Sequence, residues 1–184
     1  IAKNIFIEGI DVSNLTKEEA INYINENITP SDIQLNYDGE TNIISLDEID
    51  LKYNTSEVVD EAYNYTKTDS YFENIKRFFD LKNLEIKSLY NENKLSEKIQ
   101  SISESINVAM ENAKVYISDS GNISASSATI GKELDIAATK ESIYDAIKNK
   151  DYKAIDLKVN IKQPKISTEA AKSVNTLLAE FSTK

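Results

Sequence analysis

The stretch "ELDIAATKESIYDAIKN" at residues 133–149 has the same shape as an earlier one, "EIDLKYNTSEVVDEAYN" at 48–64. Each runs acid, apolar, Asp, apolar and a polar break, and then places apolar residues at helical spacing. Glu48/Glu133, Asp50/Asp135, Asp60/Asp145 and Asn64/Asn149 are identical, and apolar character is kept at Ile49/Leu134, Leu51/Ile136 and Val58/Ile143. A period of two that changes to 3.6 predicts a short strand running into a helix. Its recurrence reads as an internal duplication, with chance likeness of two strand–helix joints as the alternative.

Working outward, each half repeats one order of helix, hairpin, short strand and helix. In the first, "NIFIEGIDVSNL" has Ile5, Ile7, Ile10 and Val12 as a strand pattern broken at Gly9, and Thr16 with Glu19 forms an S/T-x-x-E capping box for a helix carrying Ala20, Ile21, Ile24 and Ile28 on one face. Asp38-Gly39 predicts a hairpin between two alternating runs. A short strand and a helix follow, with Asn54 and Glu57 as a second capping pair, and residues 66–81 read as irregular and aromatic-rich.

In the second half, "LKNLEIKSLY" predicts a strand with Leu84, Ile86 and Leu89 as core positions. "KLSEKIQSISESINVAMENA" predicts a long helix whose stripe is Leu95, Ile99, Ile102, Ile106, Ala109, Met110 and Ala113. Two strands flank Ser120-Gly121, Thr139 is the expected cap of the next helix, and Ile155, Leu157, Val159 and Ile161 alternate as one strand. A last helix starts after Pro164 with Ser167 as its cap. The expected class is α+β, two similar units of helices on small antiparallel sheets, divided as 1–81, 82–165 and a leading-out helix over 166–184.

Charge divides at the same place. Residues 1–81 hold six basic and seventeen acidic side chains, net −11, and the remainder is net +1. Arg77 is the sole arginine. An acidic lobe without clustered arginine does not suit nucleic acid or an anionic membrane surface, which both reward positive patches. No apolar run approaches the ~20 residues of a membrane span. The chain starts without Met and ends inside a helical pattern, so we expect an excised piece, with any signal or anchor upstream.

Cysteine and histidine are both absent. Thiolate nucleophiles, disulfides, ordinary zinc sites and histidine-based triads go with them. Four scattered glycines form no phosphate-binding loop, and no Ser-x-x-Lys occurs. The Asp38 segment puts Ile43 where a calcium loop needs glycine and Ile49 where it needs glutamate, which rejects an EF-hand; we expect no metal and no cofactor, with a looser cation site as the alternative. The enzymatic alternative is a carboxylate pair for glycan hydrolysis, offered by Asp47, Glu48 and Asp50 with Asp11 and Glu61 nearby. The better surface feature is aromatic. Tyr63, Tyr65, Tyr71 and Phe72 are the candidate ligand-binding residues, because aromatic rings stack on sugars while a tyrosine hydroxyl hydrogen-bonds; packing between the halves is the competing explanation.

"IFIEGIDVSNLTKEEAINYI" resembles the start of the extracytoplasmic region of VanW-type and L,D-transpeptidase-type envelope proteins of Gram-positive bacteria, carried by Gly9, Ile10, Val12, Leu15, Thr16, Glu18, Glu19 and Ala20. From about Leu84 to Ile161 the chain resembles their peptidoglycan-binding module, with its long helix, hairpin and Gly-Lys-Glu-Leu-Asp-Ile joint at Gly131–Ile136. "TLLAEFSTK" is similar to the start of a VanW domain, through Leu177, Leu178, Phe181, Ser182 and Thr183. Where the family has a Gly-Arg-rich segment, this chain has "YTKTDSYFENIKR". The resemblance implies a non-catalytic, exported module, and we expect a monomer. Its expected partner is peptidoglycan, through glycan or stem peptide, with a membrane anchor upstream and a VanW-like domain downstream. An extracellular spacer or protein-interaction domain is the alternative.

Overall fold

The computed structural model describes residues 1–174, and it is α+β. In chain order it runs β1 (Ile5–Ile7), β2 (Ile10–Asp11), α1 (Lys17–Asn27), β3 (Ile33–Tyr37), β4 (Glu40–Ile44), β5 (Lys52–Tyr53), α2 (Thr55–Asn64), α3 (Tyr71–Phe79), β6 (Lys82–Leu84), β7 (Ser88–Leu89) and α4 (Glu92–Ile106). Then come β8 (Val115–Ile117), β9 (Ile123–Ala125), β10 (Gly131–Leu134), α5 (Ile136–Asn149), β11 (Ile155–Asp156), β12 (Val159–Lys162) and α6 (Thr168–Lys172). Two compact units form. The first is Ile1–Lys98 with Lys140–Asp156, and the second is Ile99–Thr139 with the described residues from Leu157.

In the first unit, β1 lies between β2, antiparallel, and β6, parallel, with Ile5 opposite Lys82 and Ile7 opposite Leu84. Residues 75 positions or more apart thus complete one sheet. Its inner face carries Ile5, Ile7 and Leu84, which bury against Ala20 and Ile24 of α1 and Val58, Val59 and Ala62 of α2. Helix α1 starts as the capping box predicts: Thr16 Oγ1 accepts from the Glu19 N–H, and the Glu19 carboxylate accepts from the Thr16 N–H at 2.8 Å. β3 and β4 make the hairpin at Asp38-Gly39, and β11 adds to β3 in parallel. β5 pairs antiparallel with β7. In the second unit β10 pairs with β12 and β8 with β9, all antiparallel, and α6 packs by β9 behind its Ser167 cap.

Several local expectations change. Helix α4 buries Leu95, Ile99, Ile102 and Ile106 but stops at Ile106. Asn107 turns its amide oxygen to accept from the Leu134 N–H at 2.8 Å, and Val108 bridges to Lys132, so Ala109 and Met110 continue no stripe. Helix α5 is capped by Asp135, whose carboxylate accepts from the Ala138 N–H at 3.0 Å, while Thr139 lies one turn inside and bonds the Asp135 carbonyl. The alternating run at 155–161 divides into β11 and β12, each with its own partner. Leu89 is 55% exposed. The two stretches quoted first also differ locally. Residues 48–64 fold as a 3₁₀ turn, β5 and α2, with Asp50 left-handed at φ 54°, whereas 133–149 pass from β10 straight into α5. Residues 66–81 hold α3, a full helix where an irregular segment was expected. The VanW-like resemblance at 176–184 lies outside the described residues.

Candidate functional site

A concavity in the first unit lies between the extended segment 83–90 and the C-terminal end of α5, with the Glu8-Gly9 turn among its lining. Local backbone chemistry builds that turn. Glu8 and Gly9 form a two-residue hairpin turn with φ of 51° and 76°, a left-handed geometry in which Asn-Gly or Asp-Gly is usual. A glutamate there is strained by roughly 1 kcal/mol. Its side chain supplies the compensation: the carboxylate accepts from the Ile86 N–H at 2.5 Å and from the Lys150 ammonium at 2.9 Å.

Lys150 mirrors this arrangement. Helix α5 ends in a Schellman motif, with the Asp151 N–H donating to the Ala146 carbonyl at 3.0 Å and the Lys150 N–H to the Ile147 carbonyl at 3.4 Å. Glycine is the usual residue at the left-handed position, yet Lys150 holds it at φ 55°. The side chains of Lys150 and Glu8 are only 11% and 25% exposed. Two strained, non-glycine residues therefore each give a side chain to one partly buried ion pair, which ties the β1–β2 turn to the end of α5. Strain kept at such a place marks a site whose shape matters.

The walls are braced from behind. The Ser88 hydroxyl donates to the Ile147 carbonyl at 3.1 Å, joining segment 83–90 to α5 directly. Tyr53 on β5 and Tyr152 share a hydroxyl–hydroxyl hydrogen bond of 2.5 Å. Burial pushes the Tyr53 phenol far up, and the hydrogen bond it shares with Tyr152 adds to it. Both hydroxyls stay protonated, as a structural bond requires.

The resulting groove has a volume of about 730 Å³, within the range of ligand sites, and a smaller hollow of about 290 Å³ adjoins it. Tyr90 and Tyr144 line both. Tyr144 is half exposed, with the Lys148 ammonium 5.9 Å from its ring centre. Burial raises the Tyr90 phenol, helped by the charge of Glu92, so its hydroxyl remains a donor as well as an acceptor. Ile86 and Ile147 form an apolar base, and Asn83, Glu85, Lys87 and Asn149 add hydrogen-bonding groups of both signs. An open channel with two aromatic rings amid mixed polar groups suits a polymer of sugars or amides, which needs stacking and many weak hydrogen bonds. Among the described residues, no three His, Cys, Asp or Glu side chains gather as metal ligands.

Of the four aromatics expected as a ligand surface, Tyr71 and Phe72 lie edge to face with ring centres 6.0 Å apart, and Tyr63 and Tyr65 are each met by cationic side chains. Tyr63 is covered, with the Lys67 ammonium 3.1 Å and that of Lys17 4.6 Å from its ring centre. The hydrogen bond from Lys67 lowers the Tyr63 phenol. Tyr65 meets the Arg77 guanidinium at 5.1 Å, on the polar side of α3. Tyr71 and Phe72, 73% and 83% exposed, lie on the opposite, apolar side of that helix. The acidic turn is likewise occupied: Lys98 pairs with Glu48, and Lys94 pairs with Asp50 at 2.8 Å. Tyr90 and Tyr144 were missed. Tyr144 adjoins Ile143 but lies off the buried stripe of α5 made by Ile143, Ala146 and Ile147, and an aromatic ring on the wet side of an amphipathic helix is the signal that marks it.

The first unit is thus a small α+β body with an open groove lined by polar and aromatic side chains. The chain belongs to the family described as "Putative peptidoglycan binding domain", which matches residues 43–156, well over half its length. Every groove residue except Glu8 and Gly9 falls within that span. Membership points to a binding role, to peptidoglycan as the partner and to a cell-wall-associated location. No curated protein and no solved structure matches the chain. No helix among the described residues is long and apolar enough to cross a membrane.

Proposed function

We propose that this chain is a non-catalytic module that takes a peptidoglycan strand, through its glycan or stem peptide, into the groove at Tyr90 and Tyr144. The observation that carries this reading is the groove itself: two tyrosines shared by adjoining hollows, within the span of a peptidoglycan-binding family. Tyrosine faces stack on pyranose rings, and the surrounding amides and ammonium groups meet hydroxyls and peptide carboxylates. Glu8, a carboxylate among the groove's lining, is held by Ile86 and Lys150 and serves shape, not proton transfer. The resemblance of the chain supports a setting on the outer face of a Gram-positive membrane, tethered upstream, with this module holding a VanW-like neighbour at the wall.

Co-sedimentation with purified, teichoic-acid-free peptidoglycan tests this. The chain is expected to pellet at low salt, and Tyr144→Ala to reduce the bound fraction by about five- to tenfold, the loss typical of one interface aromatic. Absence of pelleting leaves the spacer reading instead. Pelleting lost on Phe72→Ser but kept on Tyr144→Ala moves the site to α3.

A further inference from the structure

Helix α3 is attached the wrong way round for a core helix. Its polar side faces the body of its unit: Asn74 accepts from the Thr68 N–H and hydroxyl, both at 2.8 Å, and donates to the Thr68 carbonyl at 2.8 Å, while Arg77 donates to the Tyr65 carbonyl at 3.1 Å. Its apolar side faces outward. Tyr71, Phe72 and Phe79 are 73%, 83% and 74% exposed, Ile75 and Phe78 about half that, and Leu81 beyond the helix end is 71% exposed. No residue of α3 is buried. Positions 71, 75 and 78 with 72 and 79 form one stripe at helical spacing.

We propose that the chain forms a two-fold dimer in which α3 packs antiparallel against α3 of a second copy. Area is the first argument. At about 200 Å² per large side chain, the six expose on the order of 750 Å², above the largest patch of most monomers and close to the ~800 Å² each partner gives to a standard interface. Symmetry is the second. The stripe of α3 carries no charged side chain, so pairing it with itself about a two-fold axis brings no like charges together at its centre. Chemistry separates this occupant from others. The stripe offers one hydroxyl, that of Tyr71, where a sugar needs several hydrogen-bonding groups, and the surrounding residues 1–81, net −11, repel an anionic bilayer. The proposal replaces the expectation of a monomer and is independent of the groove.

Sedimentation velocity over a concentration series reads it, with far-ultraviolet circular dichroism to confirm that each variant is folded. A monomer–dimer equilibrium is expected. The double variant Phe72→Ser/Phe79→Ser is expected to weaken it by more than about tenfold. The chain has no cysteine, so Ile75→Cys, at the middle of the stripe, is a single labelled position, and a short bis-maleimide should join two copies there. Dimers that survive the serine substitutions place the interface elsewhere and overturn the proposal. A chain monomeric at every concentration overturns it as well, and flotation of that monomer with anionic or neutral vesicles would assign the stripe to lipid.

Discussion

Helices α3 and α4 are both amphipathic, and they use their two faces in opposite ways. α4 turns Leu95, Ile99, Ile102 and Ile106 inward, each under a tenth exposed, and offers Lys94 and Lys98 to the acidic turn at 47–50. α3 turns Asn74 and Arg77 inward and leaves its aromatic residues in water. A helical period reports that a helix has an apolar side; it does not report which side meets the protein. In α4, burial of apolar area holds the helix in place, with the ion pairs secondary. In α3, a few hydrogen bonds do that work, and the apolar side remains available.

This contrast breaks most visibly under truncation of single side chains. Ile99→Ala is expected to lower unfolding stability by about 2–5 kcal/mol, because Ile99 is fully buried and a cavity remains. Phe79→Ser, although it deletes a larger apolar group, is expected to stay within about 0.5 kcal/mol of the parent at dilutions where copies do not associate. Urea unfolding of both variants measures the difference. A loss in Phe79→Ser equal to that in Ile99→Ala would mean that α3 buries its stripe in solution. Next in size, Asn74→Ala removes three hydrogen bonds to Thr68 and should cost about 1–3 kcal/mol, read as faster amide exchange confined to α3 and its flanks. Exchange unchanged in α3 would mean that something other than its polar side holds it.

The legible parts of the molecule are those set by neighbours in sequence. The Thr16–Glu19 box, the Asp38-Gly39 turn, the Ser167 cap and the stripe of α4 as far as Ile106 all follow from spacing a few residues long. α3 was legible too, since Ser70 and Glu73 carry the same capping signature, and Ser70 Oγ accepts from the Glu73 N–H at 3.3 Å. The segment 66–81 nevertheless reads as irregular and aromatic-rich, because that capping signature is passed over. What sequence spacing could not supply is the long-range part. The parallel pairing of Ile7 with Leu84, and the meeting of Glu8 with Lys150, depend on the closure of the whole first unit. The groove is a product of those closures. Its tyrosines at 90 and 144 lie far apart in sequence and become one surface only when α5 docks on segment 83–90.

The smallest expected effect tests the polar side of α4. Hydrogen bonding from Lys98, and then from the Ser45 N–H, holds the Glu48 carboxyl below its ordinary value of 4.5, and hydrogen bonding from Lys94 holds Asp50 below 3.8. Between the depressed and the ordinary values the unfolded chain binds more protons than the folded one. Their contribution to stability is therefore complete above about pH 4.5 and is lost as pH falls through the folded values. The amide anchor of α3 behaves differently, since an amide does not titrate. Replacing Lys94 and Lys98 together by alanine should flatten part of the acid slope of the urea midpoint, whereas Asn74→Ala should lower the midpoint and leave that slope intact. An acid slope unaltered by the lysine replacements would mean that the pairs do not form in solution. α4 would then be held by its buried stripe alone, and its polar side would be as free as the apolar side of α3.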